Sequence, residues 1–253
     1  MKRLLVILLI ASSTLQACAT LDGPADPSDP LERYNRSVYS FNDRLDKYML
    51  KPIAKGYDAI TPNPVQKAVN NFFSNLDDVL VIVNDVLQLK PLQTASDTGR
   101  LIINSSIGLF GLIDWASDMG LEKHNEDFGQ TLGYWGVPAG PYFVIPFLGP
   151  STLRDAGGLA TDTYYFDPQF REIETSFPPP SRKPESLVWN LTILDKVDVR
   201  AKLLKTENIL DSAALDPYVF IREAWLQRRN YLVQDGVVDG VDEEFNEEEL
   251  FDH

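Results

Sequence analysis

A few short stretches carry residues whose types and spacing could do chemistry. His124-Asn125-Glu126-Asp127 places an imidazole beside two acids, as a metal or acid–base site would. One histidine near two acids lacks a third ordered ligand, and the segment reads as a loop histidine beside solvated acids. Asp127-Phe128-Gly129 has the letters of the kinase magnesium motif but none of its companions, so chance explains it. Arg154-Asp155 is open to two readings: an ion pair at a helix start, or an arginine waiting for a phosphate. No G-x-S-x-G elbow, no G-x-x-x-x-G-K-[ST] loop and no H-E-x-x-H helix is present. With two histidines and one cysteine, most metal cages are excluded. No nucleophile stands beside a base. The expectation is a non-enzyme with no catalytic residues, no metal and no cofactor.

The single cysteine, Cys18, stands at the end of an export leader. Lys2-Arg3 is a positive start, Leu4 to Ala11 is apolar, and Ser12 to Ala17 is small and polar. The apolar run is too short to span a bilayer. Leu15-Gln16-Ala17-Cys18 resembles the bacterial lipobox, in which cleavage leaves a lipid-modified cysteine. Ala19, in place of an aspartate, leans toward outer-membrane delivery. The reading is therefore 1–17 leader, 18–30 lipidated tether rich in Pro and Asp, 31–234 one folded domain, and 235–253 a disordered tail. From Asp235 onward there are nine acids and no Lys or Arg, a composition that cannot bury enough to fold.

Charge narrows the partners. Removing Lys2 and Arg3 takes the net charge from −14 to −16. Nucleic acid is excluded, because phosphate backbones need a basic face. Any membrane contact must be apolar or covalent.

Periodicity predicts an all-α body. Tyr34, Val38, Phe41, Leu45 and Tyr48 form one stripe of a first helix that Pro52 should stop. Ile53 to Ile60 forms a short second helix. A longer helix runs from Pro64 to Leu89, with apolar residues spreading around the cylinder near Val79–Val83, as in a helix that is enclosed or faces lipid. Asn70, Asn71, Asn75 and Asn84 read as local surface groups more than as ties between elements. The pattern resumes at Pro91 and reaches Trp115. Further helices are expected at Asp127–Trp135, at Ser151–Tyr165 with Ser151 as N-cap, at Pro184–Glu207 after the stiff Pro178-Pro179-Pro180, and from Asp216-Pro217 onward. Arg222, Arg228 and Arg229 are placed on the wet face of that last helix.

The stretch that all these elements must position runs from Glu126 to Asp155. It is the most apolar part of the chain after the leader, and it is heavily punctuated by Gly and Pro. Gly136, Pro138, Gly140 and Pro141 break regular structure before Tyr142, Phe143, Val144, Ile145, Phe147 and Leu148. Such a loop either docks in a core or sits in lipid.

Several motifs in order resemble the MlaA/VacJ family. They are the lipobox at Cys18, Asp29-Pro30-Leu31-Glu32 with Asn35-Arg36, Phe41-Asn42 with Leu45-Asp46, and Asn71-Phe72 with Asn75-Leu76. They continue with Gly129 and Thr131-Leu132-Gly133, Gly140-Pro141-Tyr142, Pro146-Phe147, Leu153-Arg154-Asp155 with Gly157-Gly158, and Asp216-Pro217-Tyr218. The resemblance implies a ring-like helical protein in the inner leaflet of the bacterial outer membrane, with an amphipathic central channel. It implies an outer-membrane porin trimer as partner and a soluble periplasmic carrier as recipient of phospholipid removed from the outer leaflet. It also implies that residues 137–150 are a hairpin beside the channel, with Tyr142, Phe143, Ile145 and Phe147 on it. Thr131, Tyr134, Arg154 and Asp155 are the residues expected to supply a polar lane, because a bare phosphate in hydrocarbon is costly. Two other readings compete: a structural envelope lipoprotein that tethers porins without moving lipid, and a lipolytic enzyme.

Overall fold

The computed structural model describes residues 28–163, 185–204 and 215–236. The leader, Cys18, most of the tether, Pro178–Pro180, and the tail beyond Gly236 lie outside the described residues. So do the far ends of the helices expected to reach Tyr165 and Glu207.

The fold is helical apart from one two-stranded hairpin. In order come α1 (Glu32–Leu45), a π-turn (Asp46–Leu50), α2 (Lys51–Ile60), α3 (Asn63–Leu87), α4 (Pro91–Ser106), α5 (Trp115–Asp118) and α6 (Phe128–Tyr134). The hairpin β1 (Tyr142–Ile145) and β2 (Gly149–Thr152) leads into α7 (Leu153–Thr161), followed by α8 (Glu185–Leu203) and α9 (Pro217–Val233). The strands are too short to show period-2 alternation, which is why the sequence reads there as loop. They pair antiparallel from Tyr142 opposite Thr152 to Ile145 opposite Gly149. Among the described residues no helix is long and apolar enough to cross a membrane.

Pro52 does not end the first helix. The chain stays helical through the π-turn, where the Lys51 N–H reaches the carbonyl of Asp46. Pro52 then falls in the first turn of α2, where a missing N–H costs little. The cap of α7 is Thr152, not Ser151: its hydroxyl accepts from the Asp155 N–H at 3.2 Å. Asp127 caps α6 and Asp216 caps α9 through their carboxylates.

Parts of the apolar stripes face outward, although Val38, Phe73 and Val81 pack inside. Tyr34, Phe41 and Tyr48 are exposed, Tyr48 to 82%. Turned inward instead are Asn35, Tyr39, Asn42 and Asp46, which recur at spacings of 4, 3 and 4. On α4 the buried row is Asp97, Arg100 and Asn104, while Leu92 is 87% exposed. Among the described residues 21 polar or charged side chains are buried against 9 apolar ones. Burial of polar groups demands that they bond one another, and most here do, Asp85 being an exception. Asn75 donates to Ser105 at 3.0 Å, Asn71 to the Leu112 carbonyl at 3.2 Å, and Asn84 to Asp162 at 3.4 Å. These asparagines tie elements together and are not the local surface groups the sequence suggests. His124 likewise meets the fully buried Asp97 at 2.9 Å; of the acids in its own motif Glu126 is buried, while the Asp127 side chain is 39% exposed.

Candidate functional site

The α1 row builds the site first. Asn35 donates to the Tyr142 carbonyl at 3.2 Å and accepts from the Val144 N–H at 2.9 Å. Seven residues on, Asn42 donates to the Ile145 carbonyl at 3.0 Å and accepts from the Phe147 N–H at 2.8 Å. Two asparagine amides thus bond β1 as a neighbouring strand would. Phe41 adds an edge-on contact to Phe147, centroids 5.3 Å apart. Below them Asp29 is fully buried, accepting from Asn35 at 2.9 Å, from Arg222 at 3.1 Å, and from the Tyr218 hydroxyl. Burial, with Asp29 nearby, lifts the Tyr142 phenol to about 12. Arg222 therefore serves an interior anion and does not lie on the wet face.

The hairpin answers both readings of the apolar loop at once. Its base is docked, with Tyr142 and Val144 buried against Tyr218. Its tip is open, with Phe147 at 71% and Leu148 at 64% exposure. Phe147 holds a positive φ of 68°, costly for a bulky side chain, and its amide bond to Asn42 helps fix it there.

Behind the hairpin lies a cavity of about 510 Å³ between α1, the π-turn, α8 and α9. Its lining mixes apolar side chains, Tyr39, Val144, Leu203 and Ile221, with the charged Lys47, Lys51, Arg200, Asp43 and Asp46, an excess of one positive charge in an acidic chain. Arg200 grips Asp46 with two bonds, 2.7 and 2.9 Å, and Lys47 meets Asp43 at 2.9 Å. Such a lining offers cations for an anionic group and apolar side chains for hydrocarbon. Nothing in it resembles a nucleophile with a base.

Of the residues expected at the site, Tyr142 lines this cavity, and Phe143, Ile145 and Phe147 share its hairpin. Thr131 and the Arg154–Asp155 pair do not line the cavity and sit in two other polar clusters. Thr131 donates to Asn84 at 2.8 Å and accepts from Gln88 at 3.2 Å. Arg154 meets Asp155 at 3.1 Å, and Arg229 joins Asp155 at 2.8 Å to Asp127 at 2.5 Å. Burial alone would lift the Asp127 carboxyl; Arg229 outweighs it and holds it below the usual range. Arg229, too, is mostly covered, its side chain 11% exposed, whereas Arg228 is exposed. Tyr134 is 45% exposed, edge-on to Trp135. Among the described residues no group of His, Cys, Asp and Glu could hold a metal. Asn42, Lys47, Lys51 and Arg200 were not legible as site residues. The signal that would have found the first is an amide row facing away from the apolar stripe of α1.

The family profile described as MlaA lipoprotein matches residues 27–232. The intermembrane phospholipid transport system lipoprotein MlaA of Escherichia coli K12 is 34% identical over 245 residues, covering 93% of this chain and 91% of that protein. Its Haemophilus influenzae counterpart is 32% identical, covering 90% and 89%. A solved structure described as the structural basis for maintenance of bacterial outer membrane lipid asymmetry superposes with a TM-score of 0.69 at 32% identity, covering 81% of this chain and 99% of that one. With a profile match across nearly all of the described fold, this chain belongs to the MlaA lipoprotein family.

Proposed function

We propose that this lipoprotein carries phospholipid in the outer membrane, taking mislocalised lipid from the outer leaflet through an amphipathic path and releasing it to a soluble periplasmic carrier. The observation that carries the reading is the cavity behind the hairpin, lined by both cationic and apolar side chains, in a body that exposes many large apolar side chains. Lys47, Lys51 and Arg200 would receive the phosphate, since ammonium and guanidinium groups bond phosphate oxygens strongly. Tyr39, Val144, Leu203 and Ile221 would face the acyl chains. A volume of about 510 Å³ lies within the range of small-ligand sites. The exposed apolar side chains would sit in the periplasm-facing leaflet, held by the lipidated Cys18 and beside a porin trimer. The hairpin, docked at its base and free at its tip, would gate the path. Arg154 and Thr131 would then brace the gate rather than touch lipid.

Mass spectrometry of lipids extracted from the purified full-length protein tests this. About one phospholipid per chain is expected. A second arm changes Phe143 and Ile145 to Asp, which should raise outer-leaflet phospholipid while leaving helix content intact. No copurified lipid and unchanged asymmetry would favour a purely structural tether.

A further inference from the structure

Lys90, in the turn between α3 and α4, is the cation of a different surface. Its ammonium meets Glu126 at 3.0 Å and also bonds Asp235. It lines a groove of about 820 Å³ whose other walls include Val86, Leu89, Pro91, Ala95 and Ile102. This groove shares no lining residue with the cavity behind the hairpin. Lys90 is the one charged residue in this largely apolar lining.

The two carboxylates on Lys90 differ. Glu126 is nearly buried and is also held by Gln88 at 2.8 Å and Gln93 at 3.1 Å, so it is a fixed part of the interior. Asp235 lies past the end of α9 at a φ of 54°, with about half its side chain in the open. Burial would depress the Lys90 ammonium, but its bonds to Asp235 and Glu126 hold it above the usual lysine range. The charge is therefore kept where it is half hidden, beside apolar walls, and one of its two partners is replaceable.

We propose that this groove is a second phospholipid site, in which the lipid phosphate takes the place of Asp235 on Lys90 and the acyl chains lie along α4. The proposal rests on the reading that the protein handles phospholipid. In a chain of net charge −14 a phosphate is repelled over most of the surface. A shielded ammonium next to an apolar trough is an exception, and a phosphate offers it more acceptor oxygens than one aspartate does. Asp235 keeps the ammonium paired while the groove is empty.

The test uses the full-length protein in maltoside detergent with phosphatidylglycerol carrying a photoactivatable acyl chain. Labelling of Leu92–Ile102 is expected in the parent. It should rise about two- to fivefold in Asp235→Asn, the weight of one half-exposed ion pair, vanish in Lys90→Gln and return in Lys90→Arg. A diacylglycerol probe with the same chains should label weakly, and inorganic phosphate should not compete. Equal labelling in Lys90→Gln, or by diacylglycerol, overturns the proposal, as does an unchanged Asp235→Asn. Competition by inorganic phosphate with no lipid label would make it a free-phosphate site and overturn it as well. Labelling at Tyr142 and Ile221 reports the hairpin cavity separately. Its loss with the groove label intact would sink the proposed path alone, and the reverse would sink only the groove.

Discussion

At the scale of the residue, the interior is held by ionisable groups whose protons matter. Asp85 is fully buried, neither of its oxygens has a hydrogen-bond donor, and it lies beside Asp97. Burial first, and then Asp97 and Glu126, lift its carboxyl to about 8. Asp162, also raised by burial, reaches about 6. A carboxyl whose folded pKa lies above its unfolded value favours the fold below about pH 4, and that contribution is lost as pH rises through the folded pKa. Stability should therefore decline from about pH 4 to pH 8, through Asp162 and then Asp85. Asp85→Asn should remove the upper part of this slope and be more stable at pH 9 by roughly 1–3 kcal/mol, the toll of an unpartnered buried group. Denaturation midpoints at pH 5, 7 and 9 check it; parallel slopes in the two proteins would count against the assignment. None of this was legible beforehand. A sequence shows that Asp85 and Asp97 exist, but their meeting depends on how α3 packs on α4.

At the scale of the element, two adjacent glycines of α7 separate cleanly. A Cβ on Gly158 would come within 2.3 Å of the Gly129 backbone, where α6 crosses α7. A Cβ on Gly157 would meet nothing within 4 Å. Gly158→Ala should cost about 1–3 kcal/mol or more through backbone displacement. Gly157→Ala should add about 0.5–1 kcal/mol, the helix preference of Ala over Gly. Thermal unfolding in detergent should show opposite shifts, and shifts of one sign would refute this account of the crossing. From the sequence both glycines simply weaken a helix. Element types were readable because α3, α4, α8 and α9 have long patterns, and Asp127 and Asp216 are good caps. The hairpin was expected from the resemblance, but its strands and the π-turn were not readable from periodicity, since four-residue strands carry almost no periodic signal and Pro52 looks like a stop.

At the scale of the whole molecule, the apolar stripes and an oily outer surface were legible, while the buried polar rows on the opposite helix faces were not. A pattern of 3.6 residues reveals that a helix has two unlike faces; it does not reveal which solvent each one meets. The apolar surface predicts that Cys18→Ser, which lacks the anchor, will still float with phospholipid vesicles in a density gradient and will aggregate when detergent is withdrawn. A monodisperse, detergent-free monomer that stays at the bottom of the gradient would contradict it. The small apolar core has a thermal consequence. Unfolding in detergent brings few oily side chains into water, because those on the outside remain in the micelle. The heat-capacity increment should then fall below the usual ~12–15 cal/mol/K per residue, giving a broad, shallow stability curve with no marked weakening in the cold.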